Sequence, residues 1–132
     1  MLLDLSSFQK AVTSLALALQ TYRSDTENVF VRDACIQRFE YTYELAHKMI
    51  RRYLALTEPT AVTIDQMTFP VLIRTACEKG LLKSDWAEWK QYREIRNETT
   101  HTYNEVKAVH TLAHLPRFLE EVQYLLAALS ER

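Results

Sequence analysis

Glycine and proline are nearly absent from this sequence: Gly80 is the only glycine, and Pro59, Pro70 and Pro116 are the only prolines. Sheet proteins need many tight turns and build them from those residues, so the scarcity points away from strands and towards a few long helices. Cysteine is scarce as well. Cys35 and Cys77 lie far apart with no C-x-x-C spacing, which argues against a disulfide scaffold and predicts two reduced, buried thiols in a cytoplasmic protein. No apolar run reaches the ~18 residues of a membrane span. Asp4, with no basic residue ahead of it, is unlike the start of a signal peptide. An excess of charge is also missing, since 16 Lys+Arg face 17 Asp+Glu for a net charge of −1. Duplex binders are usually basic. A local basic patch, or an enzyme that holds RNA briefly, stays compatible with that balance.

What is present is an ordinary globular composition, 48% apolar and 25% charged over 132 residues. That length predicts a single domain spanning residues 1–132 with one core. Apolar residues recur at steps of three and four, the mark of helices with a buried seam. One seam runs Leu5, Phe8, Val12, Leu15, Leu19, Tyr22; a second runs Ile36, Phe39, Tyr43, Ala46, Ile50, Tyr53. Ser24 and Glu27 have capping-box spacing and predict the start of the second helix. Its end is predicted near Leu56, because the residue before Pro59 is pushed out of helical geometry. A third helix should open at Thr68-Phe69-Pro70 and close at Gly80. A fourth should open at Ser84-Asp85 and carry Trp86, Trp89 and Ile95. The last is predicted to begin at Pro116, with Leu119, Val122, Leu126 and Leu129 buried, after a separate short helical piece over Asn104 to His114. The expected fold class is all-α: an up-and-down bundle of four main helices plus a short helical piece.

The pattern breaks at Arg96-Asn97-Glu98-Thr99-Thr100-His101-Thr102-Tyr103. Asn97, Thr99, Thr100 and His101 are poor helix-interior residues, and no apolar seam passes through them. One reading is a polar helix end in which Asn97 or Thr99 bonds stray carbonyls. The other is a functional segment. Arg96 offers a planar, permanently charged fork suited to a phosphate, and His101 can take and return a proton near neutrality. On an unbroken helix the two would point about 140° apart, so they converge only if the helix ends between them.

Arg96-x4-His101-x-Tyr103 resembles the motif of HEPN domains, in the branch encoded beside minimal nucleotidyltransferases. Arg38-Phe39-Glu40-Tyr41-Thr42-Tyr43-Glu44-Leu45 is similar to that branch's second-helix signature, and the layout of Trp86 to Tyr103 matches as well. The resemblance implies a metal-independent ribonuclease without a cofactor, acting as the toxin of a toxin–antitoxin pair. Arg96 would hold the scissile phosphate, His101 would act as general acid or base, and Asn97 would help orient the phosphate or His101. It implies a homodimer that brings two motifs into one cleft around the RNA substrate. It also implies a nucleotidyltransferase antitoxin that transfers AMP to Tyr103. An alternative reading of the same family makes such chains non-catalytic substrate-binding subunits of a two-component nucleotidyltransferase.

Glu40 and Glu44 stand one helical turn apart and face the same way. Without a matching Glu-x-x-His they do not suggest a di-iron site. An ordinary ion pair with a cation such as Arg38, Lys48 or Arg96 is expected; if the partner were Arg96 the carboxylate would position it, and Glu40 is the candidate for that supporting role. His110 and His114 have the spacing of a two-histidine metal site, but no third ligand is evident and a solvated helix face is expected. His47 reads as a partly buried polar residue. Trp86 and Trp89 at a spacing of three read as core packing rather than base stacking. Lys48, Arg51 and Arg52 read as a solvated face that could extend an RNA-contacting surface.

Overall fold

The computed structural model describes residues 3–58, 61–99 and 104–132, without the side chains at 61 and 62. Its elements are α1 (Ser6–Arg23), α2 (Val29–Thr57), α3 (Ala61–Asp65), α4 (Phe69–Glu78), α5 (Trp86–Glu98) and α6 (Glu105–Ser130), with no strand among the described residues. The expected all-α bundle is what forms. α1, α2, α5 and α6 are its main members, and α3 and α4 fill one end.

α1 and α2 pack antiparallel along apolar seams containing Phe8, Val12, Leu15, Leu19, Ile36, Phe39, Tyr43, Ala46 and Ile50. Thr42, buried between them, donates its hydroxyl back to the Arg38 carbonyl at 2.6 Å and approaches the Ala11 carbonyl at 3.3 Å. The start of α2 differs from the expectation. Asn28, not Ser24, is the N-cap: its Oδ1 accepts from the backbone N–H of Phe30 and Val31 at 3.0 and 3.2 Å. Ser24 instead closes α1. Asn28 is as good a cap as serine, and Asp25 holds it by accepting from its Nδ2 at 2.9 Å. At the other end Glu58 is extended, as a residue before proline must be.

α4 begins and ends as expected. Pro70 sits in its first turn, and Gly80 at φ 76° takes the left-handed position past its end. The Leu81 and Gly80 N–H groups bond back to the Ala76 and Cys77 carbonyls at 3.0 Å each, a Schellman closure with Leu81 buried beside it. The five-residue α3 is not expected from the sequence; such a short helix has no seam of its own to read. Arg51 pins this region to α2 by donating from Nη1 to the Ile64 carbonyl at 3.1 Å and from Nη2 to the Met67 carbonyl at 3.4 Å.

The largest departure is α6. Asn104 to His114 and the segment from Pro116 are one helix, capped by Asn104, whose Oδ1 accepts from Val106 and Lys107 N–H at 3.0 and 3.3 Å. Pro116 removes one backbone donor and costs about 3 kcal/mol in a helix interior. The buried seam Ala108, Leu112, Leu115, Leu119, Val122, Leu125, Leu129 runs straight across it, and that packing outweighs the break. Leu125 is fully buried, whereas Leu126 is only half-buried.

Phe39, Tyr43, Trp89, Tyr92 and Phe118 form the aromatic centre, with Phe39 and Phe118 edge to face at 4.8 Å and Tyr92 and Phe118 at 5.2 Å. Trp89 is fully buried and Trp86 is half-buried against Phe69 at 5.7 Å, so the pair packs as expected. Glu121 of α6 lies at 1% exposure in the same region. Its Oε1 accepts from Trp89 Nε1 at 3.1 Å and from the Lys83 and Ser84 N–H groups at 3.0 and 3.1 Å. Cys35 is buried and Cys77 half-buried; both are free, and the Cys77 thiol donates to the Ser84 carbonyl at 3.1 Å. Among the described residues no helix is long and apolar enough to cross a membrane.

Candidate functional site

α5 buries Trp89, Tyr92 and Ile95 and turns Arg93 and Arg96 towards the adjoining face of α2. Asp85 starts it as N-cap, accepting from Ala87 N–H at 3.0 Å. It ends at Glu98, where Thr99, only 3% exposed, donates its hydroxyl to the Arg96 carbonyl at 2.7 Å. That carbonyl belongs to the last turn of the helix and also accepts from the Thr99 backbone N–H. The polar-helix-end reading of Thr99 is therefore correct as far as it goes.

The same threonine does a second thing. Arg96 Nη1 donates to Thr99 Oγ1 at 3.2 Å, while Arg96 Nε donates to Glu44 Oε1 at 3.2 Å. Glu40 Oε2 lies 3.9 Å from Nη1. The guanidinium is thus held between a carboxylate of α2 and the terminal threonine of its own helix, with 27% of its side chain exposed. Two fixed contacts on a planar fork restrict its direction as well as its place. Nη2 makes no hydrogen bond among the described residues. The sequence singles out Glu40 as the supporting carboxylate; Glu44, one turn further along α2, is the closer partner. The i, i+4 spacing shows that both can face one partner, but only the packing of α5 on α2 decides between them.

Under this pair lies Tyr43, whose hydroxyl is pushed up to about 12 by burial. Asn97 is exposed on α5, and its side chain makes no hydrogen bond among the described residues. His101 and Tyr103 lie outside the described residues, in the stretch 100–103 that joins α5 to α6. On α6, His110 Nδ1 is 3.7 Å from Glu98 Oε2, and the His110 and His114 rings stand 5.0 Å apart. Burial first, and then His110, lower the affinity of His114 for a proton. No three ligating side chains among the described residues converge on a metal position.

Further along α2, His47 sits edge-on to Phe69 at 4.7 Å and accepts at Nε2 from Arg51 Nε at 3.1 Å. Burial, and next the Arg51 guanidinium, push its imidazole below the ordinary value. Arg93 lies over the Phe69 ring at 5.4 Å. The sequence draws no attention to Arg93, since a single arginine on a helix carries no signal of its own.

The bundle and the arginine held at its α5 corner define a helical domain of the HEPN type. Residues 3–131 match the family described as nucleotidyltransferase substrate binding protein like. A Haemophilus influenzae protein named probable ribonuclease HepT is 38% identical over 97 residues, 74% of this chain, and the match spans 66% of that relative's length. A Haemophilus influenzae structure described as the fold of a substrate-binding domain of a nucleotidyltransferase superposes with a TM-score of 0.87 at 30% identity, covering 94% of this chain and 97% of that one. A crystal structure from Thermus thermophilus superposes at 0.73 with 31% identity, covering 92% and 98%. The chain belongs to the nucleotidyltransferase substrate-binding-protein-like family, the HEPN branch paired with nucleotidyltransferases.

Proposed function

We propose that this protein is the metal-independent ribonuclease toxin of a HEPN toxin–antitoxin pair, with Arg96 and His101 as its catalytic residues. The observation that carries the reading is the fixed guanidinium. Arg96 is held by Glu44 and Thr99 at the end of α5, just ahead of the segment that carries His101. A charge fixed in advance can stabilise the oxygens of a phosphate as negative charge builds on them. The RNA 2′-hydroxyl would attack the adjacent phosphorus, His101 taking its proton, while the 5′-oxygen leaves with a proton from an acid. One copy of the motif supplies a single histidine for the two transfers, so a homodimer pairing two motifs supplies both. Asn97 would orient the phosphate or His101, and Glu40 and Glu44 would position Arg96. AMP placed on Tyr103 by the partner nucleotidyltransferase would add bulk and negative charge beside Arg96 and repel RNA phosphates.

Similarity to a protein named as a ribonuclease supports this reading. Similarity to a structure described as a nucleotidyltransferase's substrate-binding domain supports a second one, a non-catalytic subunit that presents a substrate to its partner. Purified protein incubated with RNA in EDTA separates them. Cleavage that disappears in His101→Ala is expected; no cleavage by the unmodified protein would leave the binding-subunit reading standing. Mass spectrometry after co-expression with the nucleotidyltransferase should find the AMP adduct on Tyr103 and lose it in Tyr103→Phe.

A further inference from the structure

We propose that the seam between α2 and α5, leading from Arg96 past Arg93 and His47 to Lys48, Arg51 and Arg52, is a track for the phosphate backbone of single-stranded RNA. The inference rests on the nuclease reading and extends it from the reacting phosphate to the strand on one side of it.

The protein as a whole is close to neutral, with a net charge of −1, yet its cations are unevenly placed. α2 and α5 run antiparallel here. At one level Arg96 meets Glu44, with Glu40 beside it. One turn away Arg93 lies near His47 over the same Phe69 ring. Beyond that, Glu44, His47, Lys48, Arg51 and Arg52 line an open groove of about 350 Å³. Of the two seam carboxylates, Glu44 is hydrogen-bonded by Arg96, and Glu40, at 3.9 Å from the same guanidinium, leaves that end of the seam acidic by one charge. Asp4, held down first by Ser6, also feels Arg52 and offsets part of its charge. Lys48, Arg51 and Arg52 make the groove basic beyond Glu44, and Arg93 adds a cation beside it. From Glu44 to Arg52 it extends about 12 Å at 1.5 Å per residue.

Planar groups are interleaved with these charges. His47 stands edge-on to Phe69, Trp86 packs against the same ring, and both are only half-buried. Cations that follow a backbone beside flat side chains on which bases can stack are what single strands require. A protein partner would more often be met by apolar side chains inside a charged rim; here no apolar residue lines the groove, and its apolar surface comes from the stems of the charged side chains and His47. Arg51 is already spent on His47 and on the Ile64 and Met67 carbonyls, so it fixes the floor while Lys48 and Arg52, both exposed, reach outward.

The test uses the full chain and a short 2′-O-methyl RNA oligonucleotide, which binds but lacks the attacking hydroxyl. Lys48→Ala/Arg52→Ala should weaken binding about tenfold and reduce the slope of log K against log salt by about 1.4, two phosphate contacts at about 0.7 each. On cleavable RNA the same variant should raise KM. Arg74→Ala, on the exposed face of α4, should change neither. Binding and KM that match the wild type in a protein that does cleave RNA would overturn the track and leave the nuclease reading intact. The same holds if the double variant loses only its association with the nucleotidyltransferase, which would make the groove a protein contact. A wild type that neither binds nor cuts RNA takes down both.

Discussion

Two glutamates on neighbouring faces of this bundle do opposite work. Glu121 is almost fully buried and receives three N–H donors on one oxygen, from Trp89, Lys83 and Ser84. Glu44 is more than half exposed and receives one donor, Arg96 Nε. A buried carboxylate is tolerable only when its hydrogen bonds are made, and then it locks the groups around it in one arrangement. Glu121 in this way ties the connection between α4 and α5, and α5 itself, to α6. An exposed pair contributes little to stability, commonly less than about 1 kcal/mol. What the Glu44 contact contributes is direction: it aims a charge at the end of α5. The first is architecture and the second is placement, and the two respond differently to substitution.

The largest effect is expected at the buried glutamate. Glu121→Leu strands the Trp89 N–H in the core and two part-buried backbone N–H groups beside it, and should cost about 3–5 kcal/mol. Thermal unfolding should shift down by about 10 °C or more; an unchanged midpoint would remove the distinction between the two sites. Arg96→Ala should show the reverse. It should change unfolding free energy by less than about 1 kcal/mol while lowering RNA cleavage about 10²–10³-fold, the loss expected when one fixed charge is taken from a transition state. A variant that unfolds as readily as Glu121→Leu would place Arg96 with the architecture instead.

Smaller effects rank the carboxylates. Glu44→Gln keeps the length but weakens the hold on Nε, and should slow cleavage about tenfold through misplacement of the fork. Glu40→Gln, at the longer distance of 3.9 Å, should slow it less. Equal losses would mean that both carboxylates act together. The smallest effect concerns pH. Folded His47 releases its proton more readily than the same residue in the unfolded chain, chiefly because it is buried. Its share of stability is therefore complete above about pH 6.5 and declines as the pH falls below that value. Protonation would also remove the Nε2 acceptor that Arg51 uses. Urea midpoints at about pH 7 and about pH 5 should differ less in His47→Gln than in the wild type.

The seams of α1 and α2, the proline-to-glycine frame of α4 and the Asp85 cap of α5 are all readable in the sequence, because each is a local signal with a fixed period or position. The α6 boundary expected at Pro116 fails for the opposite reason. Proline's cost is local and visible, whereas the apolar contacts that outweigh it come from other helices. Ser24 reads as a cap because its spacing to Glu27 fits, but Asn28 stands nearer to the first seam residue and has Asp25 to hold it. His101 and Tyr103 lie outside the described residues, so their roles rest on the motif and its family. Arg96 is legible as an odd residue at a helix end, and Glu40 and Glu44 as a pair facing one way. That Glu44 is the nearer, and that Arg93 and His47 meet over Phe69, is not.

The sequence by itself determined that the chain is helical, where α4 begins and ends, and where α5 begins. Those properties follow from backbone preferences and from a period of about 3.6 residues, which act over a few neighbours. Tertiary structure alone decided which carboxylate holds Arg96, that Glu121 is sealed against Trp89, and that scattered cations line one groove. Such pairings depend on how far one helix slides and turns against another, and that is set by the whole core at once.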